Sequence, residues 1–437
     1  MKTNIKVLLV TVLLGLTFQS CLKDQADVFD ESPSARMVEY LADVQKILVE
    51  PENGWVMYYF PDKSQIYGGF TYTLKFDQGS VEVGFELAED VSKTLTSLYR
   101  LGSDTGPMLS FDVQNEYIHY FAIPSSKKYQ GMGGDFEFMI LEADKEHIKM
   151  MGRRSGNIIT MYPLADAAPT YFQKLESSVG DFVIEGMKGT VGGVETSVFI
   201  DRDDRQLTFS FGEESESVAY IYTLNGVKLY KPITIGSVSV EELVFDEPTF
   251  KLSIPGSTDV LQGVVPEGYR RFSEYAGDYL LIFNRDGEED QEYDSLPVTL
   301  TPGEVNSTYL MSGLNDNYSI TWNYDKYNGT LSWTHQILGT MENGNQVRLI
   351  AGDSKTTSYQ TVTNKVFGIT RWNGDDSKPV YYIDAAYTWS TTRHSDAFQL
   401  RRYSAKGSSL GVVAANSGWR FPGEVDKLPF VYALVKK

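Results

Sequence analysis

The chain has 437 residues, of which 58 are acidic and 39 are basic, and its formal net charge at pH 7 is −19. This balance argues against a nucleic-acid-binding protein, which needs basic patches, and against electrostatic adhesion to anionic lipid. A single cysteine rules out a disulfide framework, so the core alone must stabilise the fold. The length is sufficient for two or three domains.

The first 21 residues have the layout of a secretory signal that ends in a lipidation site. Two lysines precede an apolar run over 7–18, which is shorter than the ~20 residues needed to span a bilayer. Ser20 and Cys21 follow, and residues 16–21 resemble a bacterial lipobox in a loose form. We predict that Cys21 is acylated and becomes the mature N-terminus. The alternative is an ordinary signal peptide followed by a buried free thiol.

The segment after Cys21 is polar and predicts a flexible tether over 22–33. Ser32 and Pro33 then form a helix-start signal, with Ser as the N-cap and Pro at the first helical position. Apolar residues repeat at helical spacing as far as residue 49, which predicts a helix with one buried stripe. The residues of this stripe are Met37, Leu41, Val44 and Leu48.

After Gly54 the apolar period changes from helical spacing to alternation. Short alternating segments separated by turn residues predict an antiparallel meander rather than alternating βαβ units. The predicted strands of the first third are 55–60, 70–76, 81–87, 109–113, 117–123, 136–141, 147–151 and 158–162. We therefore predict a mainly-β fold, with antiparallel meanders in sandwich- or barrel-like domains and one N-terminal helix.

Residues 165–178 interrupt the β pattern and predict a linker or a short helix. A second β series opens at 180–184, and the similar stretch at 277–282 indicates a related start to a third series. Asn328-Gly329 predicts a hairpin within the third series. The predicted organisation is a signal over 1–21, a tether over 22–33, a helix plus β-domain over 34–165, a middle β-domain over 179–265 and an aromatic-rich β-domain over 277–437.

Local motifs for catalysis or metal binding are each better explained as ordinary structure. Residues 407–411 fit the G-x-S-x-G pattern, but no helix-like segment follows, so we predict a hairpin loop. The acidic stretches 201–204 and 286–290 lack the alternating ligands of a calcium loop, and the glycines of 131–134 lack the lysine of a phosphate loop. The four histidines form no close pair. The sequence thus predicts no catalytic residue, no metal and no cofactor.

The C-terminal third is rich in Trp and Tyr, and most of these rings are expected to fill sheet cores. Trp322 shares one strand face with apolar Ile320, which predicts that it points inward. Trp372 follows Arg371 and precedes a polar run, so we predict that it lies in a loop and contacts a ligand. Tyr387 and Trp389 are predicted ligand contacts as well.

Several stretches together resemble a known family. They are Ser34-Ala35-Arg36 with the helix, Gly54-Trp55, Tyr58-Tyr59, residues 106–112 with Asn115 and His119, and residues 134–138. The chain resembles a family of Bacteroides-type lipoproteins of about this length, which is catalogued as a domain of unknown function. The resemblance covers most of the chain and implies an accessory component of an outer-membrane nutrient-uptake system. It assigns no catalytic residues.

We expect a lipid-anchored protein of the outer membrane, at the cell surface, that serves as a non-catalytic accessory or binding module for glycan or peptide capture. Its expected partners are the membrane, through the anchor, and an outer-membrane uptake complex. Two other classes stay open: a hydrolase with a site assembled from distant residues, and a structural envelope protein. An exposed aromatic cleft would favour binding, whereas paired acids in a pocket would favour an enzyme.

Overall fold

The computed structural model describes residues 32–104, 106–126, 128–129, 131–284, 293–304 and 307–437. Strands make up 48% of the chain and helices 9%, so the predicted mainly-β fold with an N-terminal helix is confirmed. The chain divides into two compact units, Met1–Gln173 and Lys174–Lys437. The predicted lipidation site Cys21 and the acidic stretch 286–290 lie outside the described residues.

No helix in the described ranges is long and apolar enough to cross a membrane.

Helix α1, Pro33–Val49, begins where the sequence predicts. Ser32 is extended, and its Oγ accepts a hydrogen bond from the Ala35 amide (3.2 Å). This bond satisfies one of the N–H groups that have no partner within the first turn of a helix.

The buried stripe of α1 is shorter than predicted. Val44 and Leu48 are each 1% exposed, whereas Met37 and Leu41 are only partly buried. The difference arises because the core is contacted mainly by the C-terminal half of the helix. The indole N–H of Trp55 donates to the Leu48 carbonyl oxygen (2.9 Å), which ties this end of the helix to the first strand.

The described strands of the first unit form one nine-stranded antiparallel sheet. In chain order they are β1 Trp55–Tyr59, β2 Phe70–Phe76, β3 Ser80–Phe85, β4 Leu95–Leu98, β5 Arg100–Ser103, β6 Pro107–Ser110, β7 Glu137–Ala143, β8 Ile148–Gly152 and β9 Ile158–Pro163. Their spatial order is β4-β3-β2-β1-β9-β8-β7-β6-β5. Only Tyr99 separates the two edge strands β4 and β5 in the chain. The sheet must therefore curl until its edges approach each other, as in a barrel wall.

Residues 117–123 form successive turns, so the predicted strand there is wrong. Asn115 is the reason: its Oδ1 accepts a hydrogen bond from the Tyr117 amide (3.0 Å), and its Nδ2 donates to the Leu95 carbonyl oxygen (3.1 Å). The His119 amide donates to the Asn115 carbonyl oxygen (3.0 Å). Such side-chain bonds offer the backbone an alternative to a strand ladder. Asn115 and His119 therefore stabilise a turn.

Helix α2, Ala168–Asp181, covers most of residues 165–178, for which the sequence predicts a linker or a short helix. The predicted strand at 180–184 is wrong, because Gly180 and Asp181 end the helix and residues 182–184 have no regular structure. Phe182 is 1% exposed and its amide still donates to the Ser178 carbonyl oxygen (3.2 Å). A short buried apolar run does not by itself distinguish a strand from a helix end. Since residues 277–282 do form a strand, the similarity of the two stretches marks no repeat.

Eight strands of the second unit close into a barrel in chain order. They are β10 Gly186–Val191, β11 Val194–Asp201, β12 Gln206–Phe211, β13 Glu214–Thr223, β14 Gly226–Ile235, β15 Val238–Asp246, β16 Lys251–Ser253 and β17 Val260–Val264. Antiparallel pairing of β10 with β17 completes the ring.

A 3-10 turn, Phe272–Tyr275, leads into the remaining strands. In chain order these are β18 Gly277–Phe283, β19 Asp294–Pro302, β20 Thr308–Ser312, β21 Ile320–Asp325, β22 Thr330–Thr334, β23 Gln336–Thr340, β24 Gln346–Gly352, β25 Tyr359–Gln360, β26 Val366–Trp372, β27 Val380–Ala385, β28 Thr388–Ser390, β29 Arg393–His394, β30 Ala397–Tyr403, β31 Ser409–Val412, β32 Lys427–Leu428 and β33 Ala433–Lys436.

A second closed barrel has the order β18-β19-β20-β21-β22-β26-β27-β33. The intervening strands form a six-stranded sheet with the central order β23-β24-β30-β31, and β28 pairs with β29 in a small hairpin. The predicted hairpin at Asn328-Gly329 joins β21 to β22.

The barrel and the six-stranded sheet share one apolar core. Ile320 and Trp322 are fully buried, as their shared strand face predicts. The Phe398 ring of the sheet contacts the rings of Trp322 and Trp333 edge to face, at centroid distances of 6.3 and 4.8 Å. Residues on β24 and β30 therefore have one face in this core and one face away from it.

We expect Leu48→Ala to lower the free energy of unfolding of the protein by about 2–5 kcal/mol, because it leaves a cavity in the first unit's core. Urea unfolding followed by tryptophan fluorescence measures the change. Val38→Ala is the matched control, since Val38 lies on the same helix and is 69% exposed. Equal unfolding midpoints for the two variants would contradict the packing of α1 against the sheet.

Candidate ligand-binding site

The structure brings two of the three predicted ligand contacts together. Tyr387 and Trp389 lie at the start of the β28–β29 hairpin, whereas Trp372 ends β26. The Ala386 amide donates to the carbonyl oxygen of Phe367, near the opposite end of β26 (2.9 Å). At 3.3 Å per strand residue, Trp372 lies about 16 Å along the strand from this point. One platform containing all three rings is therefore not formed.

The prediction that Trp372 lies in a loop is wrong. It is the last residue of β26, is partly buried and packs against the barrel core. The guanidinium of Arg270 stacks over its ring, 4.4 Å from the ring centroid, and is fixed by ion pairs to Asp376 (2.6 Å) and Glu274 (2.9 Å). The polar residues after Trp372 form the β26–β27 loop, which supplies Asp376.

An open cleft of about 540 Å³ lies beside this ion-pair cluster. Its lining includes Arg270, Glu274, Asp376 and Lys436, but Trp372 is not part of it. A ligand role for Trp372 stays a prediction, and its position under Arg270 gives that role little support.

Tyr387 and Trp389 form an aromatic pair whose ring planes are nearly parallel. Their ring centroids are 6.3 Å apart, the ring planes differ by 27°, and both side chains are partly exposed. Residues two apart in an extended segment point to the same side, which explains the shared orientation. The edge of the Tyr387 ring also contacts Phe367 (6.0 Å), so one ring is anchored in the core and the other extends outward.

Ser395 fixes the position of Tyr387. The Tyr387 amide donates to Ser395 Oγ (3.0 Å), and the Ser395 amide donates to the Tyr387 carbonyl oxygen (3.0 Å). The hydroxyl of Ser395 in turn donates to the Phe367 carbonyl oxygen (2.5 Å). Because Ser395 is 2% exposed, these bonds are shielded from water and hold the hairpin against β26.

A buried charge cluster lies directly behind the hairpin. Asp353, at 2% exposure, accepts a hydrogen bond from the His394 amide through Oδ2 (3.1 Å). Asp396 accepts one from the Ser354 amide (2.8 Å). The Lys427 ammonium donates to the backbone carbonyl oxygens of Asp353 and Thr356. These bonds join the end of β24, the start of β30 and β32 at the base of the aromatic pair.

Burial shifts the titration of this cluster. It raises the pKa of the Asp396 carboxyl above its usual range, and the neighbouring charge of Asp353 acts in the same direction, against the hydrogen bonds from Ser354. Burial lowers the pKa of the Lys427 ammonium, while the charges of Asp353 and Asp396 oppose that shift. Both charged forms are therefore disfavoured by burial, and the nearby carboxylates favour the charged form of Lys427.

The arrangement is suited to binding through its rings. A Tyr hydroxyl and a Trp indole N–H combine apolar faces with hydrogen-bonding edges. Asp353 and Asp396, by contrast, accept hydrogen bonds from the backbone of the hairpin and of the 353–358 loop, so we assign them to positioning. Among the described residues, no group of three or more His, Cys, Asp and Glu side chains is arranged to hold a metal ion.

Sequence reasoning missed Ser395, Asp353, Asp396 and Lys427. These residues meet only because β24, β30 and β32 are neighbours in one sheet. No local spacing marks such a cluster, since Asp353 follows β24, Ser395 and Asp396 precede β30, and Lys427 lies on β32.

The other sequence motifs have structural roles. Residues 407–411 belong to the β30–β31 hairpin, in which Gly407 and Ser408 end the turn and 409–411 begin β31, and no helix follows this strand in the described residues. In the run 131–134, a Cβ on Gly134 would approach the Phe121 Cβ to 2.6 Å, so glycine is needed there for close packing. The carboxylate of buried Asp135 accepts hydrogen bonds from the amides of Arg154 (2.5 Å) and Ser155 (3.2 Å), which supports a turn.

The fold and the site describe a mainly-β protein with an aromatic pair supported by a buried polar cluster. The chain belongs to a family described as a domain of unknown function (DUF4302), which matches residues 25–247. A second domain of unknown function (DUF4987) matches residues 255–398. The comparison with curated proteins gives no match.

Comparison with solved structures finds similarity to DNA polymerase sliding clamps. The clamp of Pseudomonas aeruginosa, solved with a ligand, is 11% identical, and the match covers 92% of this chain and 96% of the clamp, with a TM-score of 0.12. The DNA polymerase III beta chain of Streptococcus pneumoniae is 8% identical over 81% of this chain and 98% of its own, also with a TM-score of 0.12. Scores this low carry no argument about the fold or the function of this chain.

We expect Asp396→Asn to change how stability depends on pH. The raised pKa of Asp396 means that the folded state holds this proton more tightly than the unfolded state does. The contribution of Asp396 is therefore fully present below about pH 4 and is lost as pH rises through its raised pKa. The thermal midpoint of the variant should exceed that of the wild type, and the difference should grow as the pH is raised from 3.5 to 7.5.

Asp316→Asn is the control, because Asp316 is exposed in a turn and lies outside the cluster. If Asp396→Asn and wild type show parallel pH profiles, the carboxyl of Asp396 is not titrated in the way that its burial indicates.

Proposed function

We propose that this protein is a non-catalytic glycan-binding module, anchored by lipid to the outer membrane and exposed at the cell surface. The observation that carries the binding proposal is the Tyr387–Trp389 pair, with partly exposed rings whose planes differ by only 27°. Partly exposed rings of this kind offer apolar faces to the C–H groups of a sugar ring, and their polar edges remain available for hydroxyl groups. Peptide capture is the other outcome of the test below.

The proposed anchor is supported by the amino-acid sequence alone. Cys21 is the single cysteine of the chain, and it follows a basic, then apolar, then small-residue segment. Several acyl chains on one residue would bury many methylene groups at ~0.8 kcal/mol each, which gives stable attachment. Together with the resemblance to Bacteroides-type lipoproteins, this layout supports a place beside an outer-membrane uptake complex.

A hydrolase is the second candidate, and one observation favours it. Asp353 and Asp396 lie close enough for the charge of the first to raise the pKa of the second, directly behind the aromatic pair. Neighbouring carboxyl groups are a common arrangement in acid–base catalysis. Product formation from a bound glycan that is lost in Asp353→Asn would replace the binding proposal with this one.

We expect Trp389→Ala to weaken glycan binding by about tenfold or more, since a truncated aromatic anchor commonly costs this much affinity. The soluble chain starting at Leu22 is screened against glycans and peptides, and calorimetry with the hits gives the affinities. The thermal midpoint should hardly change, because Trp389 lies in a two-stranded hairpin and is partly exposed.

Tyr129→Ala is the matched control, because Tyr129 is an aromatic residue of the first unit and is 88% exposed. Hits confined to peptides would redirect the proposal to peptide capture. Glycan affinity that is equal in wild type and Trp389→Ala would remove the aromatic pair from the site.

We expect Cys21→Ala to abolish acylation and to release the protein from the membrane fraction, because the thiol is the proposed attachment point. Metabolic labelling with a radioactive fatty acid and fractionation of the cells measure the two effects. Membrane retention of the variant, combined with an unlabelled wild type, would exclude the lipid anchor.

A further inference from the structure

The six-stranded sheet has an outer face that the aromatic pair does not use. On β24, Val347 and Leu349 are fully buried in the shared core, so the residue between them, Arg348, points to the outer face. On β30, Leu400 is buried in the same core, and Arg401 follows it on the outer side.

Arg348 and Arg401 stand directly opposite each other in the β24–β30 ladder. Like charges in this position repel and destabilise a sheet. Within the described part of the chain, neither arginine forms an ion pair with a carboxylate. This is unexpected in a chain whose net charge is −19, where acidic partners are abundant.

Each guanidinium group lies over an aromatic ring. Arg348 lies over the Tyr403 ring, 4.3 Å from its centroid, and Arg401 lies over the Tyr359 ring at 4.0 Å. Stacking of this kind leaves the N–H groups at the edges of the guanidinium planes available. Arg348 donates hydrogen bonds from Nε and Nη2 to the side-chain oxygen of Gln346 (3.0 and 2.5 Å). The guanidinium of Arg401 has no hydrogen-bond acceptor among the described residues.

Three buried polar atoms on this face also have no partner: Arg401 Nε, the Tyr403 hydroxyl and Gln399 Oε1. Tyr403 and Gln399 are 4% and 6% exposed, so water has little access to them. Buried polar groups normally have partners, so these unpaired groups leave unused hydrogen-bonding capacity beside the arginine pair.

The surrounding electrostatic field is positive. Burial raises the pKa of the Tyr403 hydroxyl, and the charges of Arg348 and Arg401 act against that rise. Burial lowers the pKa of the His335 imidazole, and Arg348 lowers it further. No carboxylate contributes to either shift. The row that contains the two arginines is open at both ends, because Ile337 and Val412, which flank them, are 55% and 44% exposed.

We propose that Arg348 and Arg401 bind the carboxylate group of an acidic sugar. Two guanidinium groups around one carboxylate relieve the repulsion between them and supply charge-assisted, fork-shaped hydrogen bonds. The choice of a sugar rests on the proposed glycan-binding function, whereas the carboxylate site follows from the arginine pair alone. The site is distinct from Tyr387 and Trp389, which lie beyond the start of β30.

The test uses the full-length chain in detergent and three probes: trigalacturonate, the neutral trisaccharide maltotriose and hexaglutamate. Wild type should bind trigalacturonate more tightly than maltotriose, and raising the salt concentration should reduce that preference. Arg401→Gln and Arg348→Gln should each weaken trigalacturonate binding by about tenfold or more. Arg401→Lys should recover only part of the loss, because lysine keeps the charge but lacks the planar fork.

Arg371→Gln is the matched control, since it removes one positive charge from an exposed arginine that already has Asp384 as its partner (2.7 Å). Thermal midpoints check folding, and those of the two glutamine variants should be unchanged or higher because the opposed charges are gone. Trigalacturonate binding that is absent in wild type, or equal in wild type and both glutamine variants, would overturn the proposal.

The two proposals fail in distinguishable ways. Hexaglutamate binding with the same dependence on Arg401, without trigalacturonate binding, would overturn the sugar and identify an acidic peptide instead. If Trp389→Ala leaves all glycan binding unchanged while Arg401→Gln abolishes trigalacturonate binding, the aromatic pair is excluded and the carboxylate site stands. If Trp389→Ala weakens glycan binding while Arg401→Gln leaves trigalacturonate binding unchanged, the carboxylate site is excluded and the aromatic pair stands.

Discussion

Closure of the sheets by strands that are distant in the chain is the constraint on which the second unit depends. The last strand, β33, pairs with both β18 and β27, so the barrel has no free edge at that point. Any segment that leaves the barrel must therefore run from the end of one barrel strand to the start of the next barrel strand. Two such excursions, β23–β25 and β28–β32, pair with each other through β24 and β30. The six-stranded sheet, which supports both candidate binding sites, is a consequence of that closure.

Strand β30 links the two candidate sites mechanically. Ser395 precedes it and holds the hairpin with Tyr387, Asp396 next to it holds the 353–358 loop, and Arg401 lies on the outer face of the strand. The other face of the strand is fixed in the core by Phe398 and by its neighbours. Ligand contacts on such a strand are positioned by the core rather than by a mobile loop, which reduces the ordering that binding requires.

The sequence predicted the elements whose signals are local. Helix α1 follows from its cap and proline, and strand β2 follows from alternation and has the predicted bounds. The error at 117–123 arose because the side chain of Asn115 competes with strand pairing, a contact that alternation does not reveal. The position of Trp372 was misjudged for a related reason: a polar run in a hairpin loop makes a strand end look exposed. The cluster around Asp353 could not be predicted at all, since it exists only after β24 and β30 have paired.

The chain contains two unfavourable charge arrangements on one sheet, and they differ in how they are compensated. In the cluster behind the hairpin, Asp396 accepts a hydrogen bond from a backbone amide, and Lys427 donates to backbone carbonyls. The burial of these two groups is offset within the protein, as expected of a structural support. Arg348 and Arg401 each lie over an aromatic ring, and Arg348 donates to Gln346, but no carboxylate in the described part of the chain neutralises either charge. Sites that break a local rule without full internal compensation are where function is expected, so two opposed like charges without a carboxylate partner are the stronger evidence for a ligand.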